Sequence, residues 1–405
     1  MKPIVRAGRM KPVHSDIRGP LFVEAMKRQK QGIDILKLNT GNPATFGFGL
    51  PDSIKNALIE HMQDGVGYCD FKGMPQARQA ICDYETSKGI KGITPDDVFI
   101  GNGVSEVVSF ALTPLLNDGD EVLVPSPSYS LWGNSVYLED GKPVFYTCDE
   151  QANWYPDIKD IRSKITDKTK AIVIINPNNP TGVLYPKELL LEIIQIARES
   201  GLLIFADEIY DRLVMDGKQH ISLASLTEDV PVITLNGLSK SHCLCGYRCG
   251  WMVISGPREL TEDYRQGIIQ LTSLRLCANT MAQIVIPAAL DDMETPASMV
   301  RPGGRIYEQR EATVRELEKI DGLSFVKNDA AFYVFPKLDV KKFNITNDKQ
   351  FAHDLLDVTN ILLVPGSGFD WKDPDHFRIV MLPQADILSD AIRRMGTFLD
   401  GYKQK

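Results

Sequence analysis

The stretch AIVIINPNNPTG (residues 171–182) decides how the fold is read. Its first five residues are apolar and mostly β-branched. That is too short for a buried helix and the right length for a strand buried on both faces. The NPNNPTG behind it, with two prolines and a glycine, taken alone reads most simply as a turn. A helical pattern over 186–200 comes next. The same unit recurs on both sides. DDVFI (96–100) leads through GNG into a helical pattern over 104–116, and EVLVPS (121–126) precedes another at about 130–139. LLIFAD (202–207) and VITLN (232–236) are further short apolar runs. Runs of this length separated by helices predict βαβ units, hence an α/β fold with a mainly parallel buried sheet.

After about residue 290 the texture changes. A helical stretch over 304–320 is followed by FYVFPKL (332–338), ILLVPG (361–366) and HFRIVML (376–382), which predict a smaller α+β domain. The expected division is an N-terminal segment, 1–48, packing with the small domain, a large domain over 49–295, and the small domain over 296–405.

Composition narrows the function. The 405 residues are 43% hydrophobic and 24% charged, which is ordinary for a globular protein. The net charge of −8 lacks the basic excess expected of a nucleic-acid partner. The basic N-terminus has no apolar stretch behind it, so no secretory signal is expected. No apolar run reaches the roughly 18 residues of a membrane span. Seven cysteines, an odd number spread along a long chain, argue against a disulfide framework and for a reducing, cytoplasmic location.

In open α/β sheets, ligands bind at the carboxyl ends of the strands. The residues just beyond each apolar run are therefore informative. GNGVSE (101–106) frees backbone N–H groups at a helix start, suited to an anion. NPNNPTG brings Asn176, Asn179 and Thr181; ADEIY (206–210) brings Asp207 and Tyr210. NGLSKSHCLCGYRCGW (236–251) holds Lys240 and Arg248 among small residues. Singly, each has a plain structural reading. Asp207 is a helix N-cap, Lys240 and Arg248 are surface charges, and GNG is a tight turn. Together they describe one crevice. Cys243, Cys245 and Cys249 lack a fourth ligand nearby apart from His242, so no metal is expected and the thiols read as small apolar fillers.

The lysine loop resembles that of the fold type I pyridoxal-phosphate enzymes, class I/II aminotransferase family. Ser239-Lys240 is followed by Gly246, Arg248 and Gly250, as in the family's S/A-K, five residues, G-x-R-x-G. The other motifs fall in family order from about residue 35 to 382. The resemblance implies a large domain with a mainly parallel seven-stranded sheet flanked by helices, plus a smaller α+β domain. It implies that Lys240 holds pyridoxal 5'-phosphate as a Schiff base and that Arg248 binds its phosphate. Val104, Ser105 and Ser239 line the phosphate seat, and Tyr129, from PSPSY, stacks on the ring. By the same resemblance, Asp207 faces the ring nitrogen and Asn179 and Tyr210 contact the ring hydroxyl. Tyr68, from GYCDFKG, reaches the phosphate of the neighbouring subunit, which implies a homodimer with shared sites. Gly41, from LNTGNP, covers the substrate, and Arg378, from HFRIVML, clamps its α-carboxylate. Gly237 stands three residues before Lys240, where many members carry a phosphate-binding serine.

The chemistry agrees. A lysine can hold an aldehyde as an imine and then move a proton, and a carboxylate keeps a pyridine nitrogen protonated. A guanidinium grips a carboxylate with two parallel bonds. DIRGP, KLNTGNPATFGF, YDRLVMDGKQH, SLRLCAN and PGGRIYEQR are similar to the bacterial alanine aminotransferases (glutamate–pyruvate transaminases). The implied reaction converts L-alanine and 2-oxoglutarate to pyruvate and L-glutamate, with no nucleic acid or membrane partner. A β-lyase on the same fold, or a transaminase using another donor, is the alternative. A nucleotide-dependent dehydrogenase is disfavoured because Glu106 stands where G-x-G-x-x-G needs its third glycine.

Overall fold

The structure is a computed structural model describing residues 2–405. Eight strands form the central sheet: β1 (Val98–Gly101), β2 (Glu121–Ser126), β3 (Lys142–Asp149), β4 (Tyr155–Pro156), β5 (Thr169–Ile175), β6 (Leu203–Asp207), β7 (Val232–Gly237) and β8 (Gly250–Ser255). Their order is β1-β8-β7-β6-β5-β2-β3-β4. Neighbours from β7 through β3 run parallel, whereas β8 is antiparallel to both β1 and β7. Seven strands carry the sheet, and the two-residue β4 extends its edge by antiparallel pairing with β3.

Alternation builds the two layers around this sheet. Val122 and Val124 of β2, with Ala171, Val173 and Ile175 of β5, pack against α1 (Val104–Leu112) and Ile268 of α3 (Arg258–Arg275). Leu123, Ile172 and Ile174 point the other way, onto Leu189, Leu190, Ile193 and Ile194 of α2 (Lys187–Ser200). Apolar residues on both faces are thus explained by helices on both faces. Each fully buried aliphatic side chain contributes roughly 1.5–3 kcal/mol, so one polar residue in these runs is a large loss.

The C-terminal part has its own core, with Leu317, Val334, Phe351, Leu355, Phe377, Ile379, Leu388 and Ile392 buried together. Helices α4 (Arg305–Leu317), α5 (Asp348–Thr359) and α6 (Ala385–Leu399) pack on a short antiparallel sheet. In it β9 (Tyr333–Val334) and β10 (Val364–Pro365) flank β11 (Phe377–Val380). Two runs that read as single strands are broken. FYVFPKL divides at Pro336, and its Lys337–Leu338 pairs instead with Leu323–Ser324. ILLVPG divides too: Ile361–Leu362 pairs in parallel with Leu36–Lys37. Proline donates no ladder hydrogen bond, which accounts for the first break.

That pairing draws the N-terminal segment onto this body, where Ala25 and Ile35 are buried against Leu356 and Leu362. Further upstream His14 is pinned by two carboxylates, Asp370 at 3.0 Å and Asp16 at 3.4 Å. Its hydrogen bonds to Asp16 and Asp370 push its pKa up to about 9. No single described helix is long and apolar enough to cross a membrane.

Candidate active site

The site grows out of strand ends. β6 finishes at Asp207, whose Oδ2 accepts the indole N–H of the buried Trp132 at 3.0 Å. Its Oδ1 accepts only a long bond from the Ile209 amide, at 3.4 Å. Burial without a cation pushes this carboxyl up to about 6. Such a group is stabilised by a protonated nitrogen placed against it.

In the turn just beyond Asp207, Tyr210 is buried, and its hydroxyl lies 2.9 Å from that of Tyr333 on β9. Burial raises the Tyr210 pKa well above its ordinary value, so the phenol keeps its proton and can donate to an oxygen. The NPNNPTG turn closes β5. In it Asn179 is buried, and its Oδ1 accepts from Arg378 Nη1 at 2.9 Å.

Arg378, on β11, is 1% exposed. Its Nη2 donates to the Asn39 carbonyl, and its guanidinium lies 4.6 Å from the ring centres of both Tyr333 and Phe369. No described carboxylate pairs with it, and its Nε has no partner. Burial lowers its pKa, yet a guanidinium remains charged. A buried, uncompensated cation with an open donor is suited to a ligand's carboxylate.

β7 leads into the four-residue helix Leu238–Ser241, which carries Lys240. Lys240 Nζ donates to the Gly41 carbonyl at 2.9 Å. Burial works against its charge, but Tyr333, Cys245 and Tyr129 around it outweigh that and hold the ammonium above the ordinary lysine range. Gly237, at the end of β7, faces Gly250 across the ladder. A Cβ on it would lie 2.6 Å from the Cys249 carbonyl, so the serine common in similar sequences has no room here.

A separate cradle lies at the start of α1. Gly103 has φ +84°, and a Cβ there would lie 2.2 Å from Arg248 Nη2. The missing side chain lets the guanidinium close over the helix start, where it donates to the Cys245 and Asn102 carbonyls. The amides of Val104 and Ser105 are first-turn donors without an intrahelical acceptor. A cation beside free helical N–H groups suits a phosphate. Ser239 borders the same loop, its carbonyl 2.9 Å from Cys245 Sγ.

The fold therefore gathers Lys240, Gly41, Asn179, Tyr210, Asp207 and Arg378 through linked contacts, with Val104, Ser105 and Arg248 forming an anion cradle. Tyr129, 37% exposed, is near enough to act on both Lys240 and Arg378. Tyr68 stands apart; it is 83% exposed and makes no hydrogen bond among the described residues. The three loop cysteines do not converge. Cys249 is in the core, Cys243 Sγ lies 3.9 Å from Met299 Sδ, and Cys245 turns to Ser239. Burial pushes Cys243 and Cys249 up to about 12, so both remain thiols.

Three contributors are not legible in the sequence: Trp132, Tyr333 and the Asn39 carbonyl. Trp132 and Tyr333 reach their partners across 75 and 123 residues, and no local pattern signals that. Tyr333 stands in the open in FYVF, but strand alternation does not say which face is the site.

A pyridoxal phosphate fits these groups, with an amine for its aldehyde, an unpaired buried carboxylate for its ring nitrogen, and a cradle of N–H groups and guanidinium for its phosphate. The sequence profile of aminotransferase class I and II matches residues 33–392, so the chain belongs to that family. This chain is 50% identical to the glutamate-pyruvate aminotransferase AlaA of Haemophilus influenzae over 404 residues, covering all of both chains. The crystal structure of an aminotransferase from Escherichia coli is 47% identical and superposes with a TM-score of 0.98 over the whole of both chains. An alanine aminotransferase from Pyrococcus furiosus is 41% identical with a TM-score of 0.93, covering 98% of this chain and 100% of that one. The fold is that of the fold type I aminotransferases, and pyridoxal phosphate is the family's cofactor.

Proposed function

We propose that this enzyme moves the amino group of L-alanine to 2-oxoglutarate, giving pyruvate and L-glutamate. The observation that carries the reading is Arg378, a buried guanidinium with no carboxylate of its own, set beside Asn179 and within one loop of the Lys240 amine. Both amino acids and both keto acids of that reaction present an α-carboxylate. Full-length identity of 50% to a glutamate-pyruvate aminotransferase supports the choice of pair.

Bound pyridoxal phosphate supplies an electrophilic aldehyde and an electron-withdrawing ring that stabilises negative charge at the substrate Cα. Lys240 would hold that aldehyde through its amine and, when free, would take and return the substrate's Cα proton. Asp207 would keep the ring nitrogen protonated, and its burial would strengthen that pairing. Tyr210 and Asn179 donate to the ring oxygen. Val104, Ser105, Ser239 and Arg248 seat the phosphate, Tyr129 covers the ring, Gly41 shields the substrate, and Arg378 fixes the carboxylate.

Tyr68 is assigned to the partner's phosphate in a homodimer. Its exposure, with that of Ile59, Met62, Val66 and Leu274, supports an apolar face that a second copy covers. The domain division at 48 and 295 is supported by the separate C-terminal core and by the pairing of Leu36–Lys37 with Ile361–Leu362. A cytoplasmic location is proposed from the free cysteines.

The test is direct. L-Alanine added to the pyridoxal-phosphate-loaded protein releases one pyruvate per site and bleaches the cofactor's visible absorption, and 2-oxoglutarate restores it. A loaded protein that releases no pyruvate from alanine rejects the substrate assignment. Continuous pyruvate release from cystathionine or cysteine without a keto acid marks a β-lyase instead.

A further inference from the structure

Behind the strand ends lies a second group of charges that the reaction does not touch. Lys88 follows the helix Pro75–Ser87 and is 12% exposed at its side chain. Its Nζ lies 2.7 Å from Glu85, 2.8 Å from Glu208 and 3.1 Å from Asp211. Glu208 and Asp211 belong to the turn that carries Asp207 and Tyr210. Each is further tied down. Glu208 Oε1 accepts from Ser222 Oγ and the Leu223 amide, at 2.9 and 3.0 Å. Asp211 Oδ2 accepts from Tyr84 Oη at 2.6 Å and from Asn236 Nδ2 at 2.7 Å. Asn236 is the residue before Gly237, at the strand end that leads to Lys240. Beside Glu208, His220 Nε2 lies 3.1 Å from the carbonyl of Asn176, which opens the NPNNPTG turn. Trp251 Nε1 donates to Glu85 at 3.1 Å.

We propose that Lys88 is a positioning residue for the cofactor site: its single ammonium, shared by Glu85, Glu208 and Asp211, locks the Asp207–Asp211 turn and, through Asn236, the strand end before Lys240. Three carboxyls buried in one small volume disfavour one another's charge; burial, with Glu208 and Asp211, pushes Glu85 up, and the Lys88 ammonium opposes that shift. Glu208, Asp211 and His220 are grouped closely enough to hold a metal ion, and the Lys88 ammonium already sits against both carboxylates. Burial alone would discharge Lys88, and Glu208, Glu85 and Asp211 outweigh it. Burial raises the Asp207 carboxyl most, and the charge of Glu208 adds to that. Lys88 sits against Glu208 and offsets that charge, so it bears on the place of Asp207 and adds to the control of its ionisation.

The inference rests on Asp207 facing the cofactor ring, but its test begins without cofactor. The chain has four tryptophans, and the Trp132 indole N–H reports Asp207 directly. In ¹⁵N-tryptophan-labelled apoprotein, the Trp132 indole resonance titrates with Asp207. In Lys88→Met its midpoint moves to higher pH by about one unit, because an unscreened carboxylate disfavours a second one. Pyridoxal phosphate affinity, read by spectral titration of the same apoprotein, falls about tenfold or more, the scale of one buried charge-assisted bond. Lys88→Arg, which keeps the charge, restores the Trp132 midpoint. An unchanged midpoint in folded Lys88→Met overturns the proposal, even if turnover has fallen. A shifted midpoint with wild-type cofactor affinity instead rejects Asp207 as the ring partner and leaves the Lys88 link standing. Should Lys88→Met not fold, Asn236→Ala keeps every charge and cuts the tie to Asp211, together with the bond from the Gly237 amide to Asn236 Oδ1 at the same strand end. Weaker cofactor binding with an unmoved Trp132 midpoint supports the lock, and wild-type binding overturns it.

Discussion

Lys88 and Arg378 are both long basic side chains taken out of water, and the fold treats them in opposite ways. Lys88 has three carboxylates within about 3 Å. Arg378 has none, only an amide oxygen, a carbonyl and two aromatic faces, with its Nε left over. Lys240 resembles Arg378, with one carbonyl as its hydrogen-bond partner. Asp207 is the mirror image, a buried carboxylate held by an indole and no cation. Burying a charge is costly unless it is paired. Charges whose pairing is complete hold the scaffold, and those left incomplete mark where a ligand completes it.

Four experiments probe that contrast, in order of expected effect. Lys240→Ala removes the group that both holds the aldehyde and moves the proton. Turnover of alanine with 2-oxoglutarate drops by about 10⁴-fold or more, while thermal stability is retained. A variant that still transaminates near the wild-type rate would place the reactive amine elsewhere. Next, Arg378→Leu replaces an unpaired cation by an apolar group. kcat/KM falls about 10³-fold for alanine and for 2-oxoglutarate alike, as expected for a buried carboxylate clamp. Loss for one co-substrate only would mean the clamp is not shared.

Asp207→Asn tests the cost of leaving a charge unpaired. The folded-state pKa of Asp207 is raised from 3.8 to about 6. A raised carboxyl contributes stability below its unfolded pKa, and that contribution is lost as pH rises through about 6. The apoprotein of Asp207→Asn is therefore more stable than wild type by about 3 kcal/mol at pH 8, and the gain fades towards pH 4. Its affinity for pyridoxal phosphate falls at the same time, a trade of function against stability. Denaturant unfolding of the two apoproteins at pH 8 and pH 4 decides it; equal stabilities at pH 8 would show that the carboxylate is compensated after all.

The smallest effect belongs to a paired surface group. His14 bridges Asp16 and Asp370, and its pKa is raised from 6.5 to about 9. Its contribution is fully present below pH 6.5 and lost as pH rises through about 9. Because the imidazole is 35% exposed, solvent screening limits it to less than about 1 kcal/mol. His14→Gln lowers Tm slightly at pH 6 and not at pH 10. A deficit that persists at pH 10 would assign the effect to packing.

The paired and unpaired charges also differ in how legible they are in the sequence. The unpaired ones sit in short motifs at strand ends: NPNNPTG, ADEIY and the lysine loop each announce themselves within a few residues. The sheet is equally readable, because β2 and β5 are buried on both faces and β-branched. The Lys88 cluster is not. In the sequence Glu85 and Lys88 look like the solvated charges of an ordinary helix, although Glu85 is buried and the Lys88 side chain nearly so, and the partners of Lys88 in the Asp207 turn are 120 or more residues away. A charge network is a property of the assembled fold, and its members look like solvated residues until the chain closes around them. The strand break in ILLVPG is hidden for the same reason, since its distant partner Leu36–Lys37 decides where the strand ends, whereas Pro336 marks the break in FYVFPKL locally.

One consequence reaches into heredity. The guanidinium of Arg248 occupies the place where any side chain at position 103 would begin. The two positions, far apart in sequence, therefore behave as one locus. A library randomised at 103 returns glycine even beside a shorter residue at 248, because φ +84° strains any side chain there, and an arginine at 248 keeps its place only opposite that glycine. Selection at 248 is read through 103.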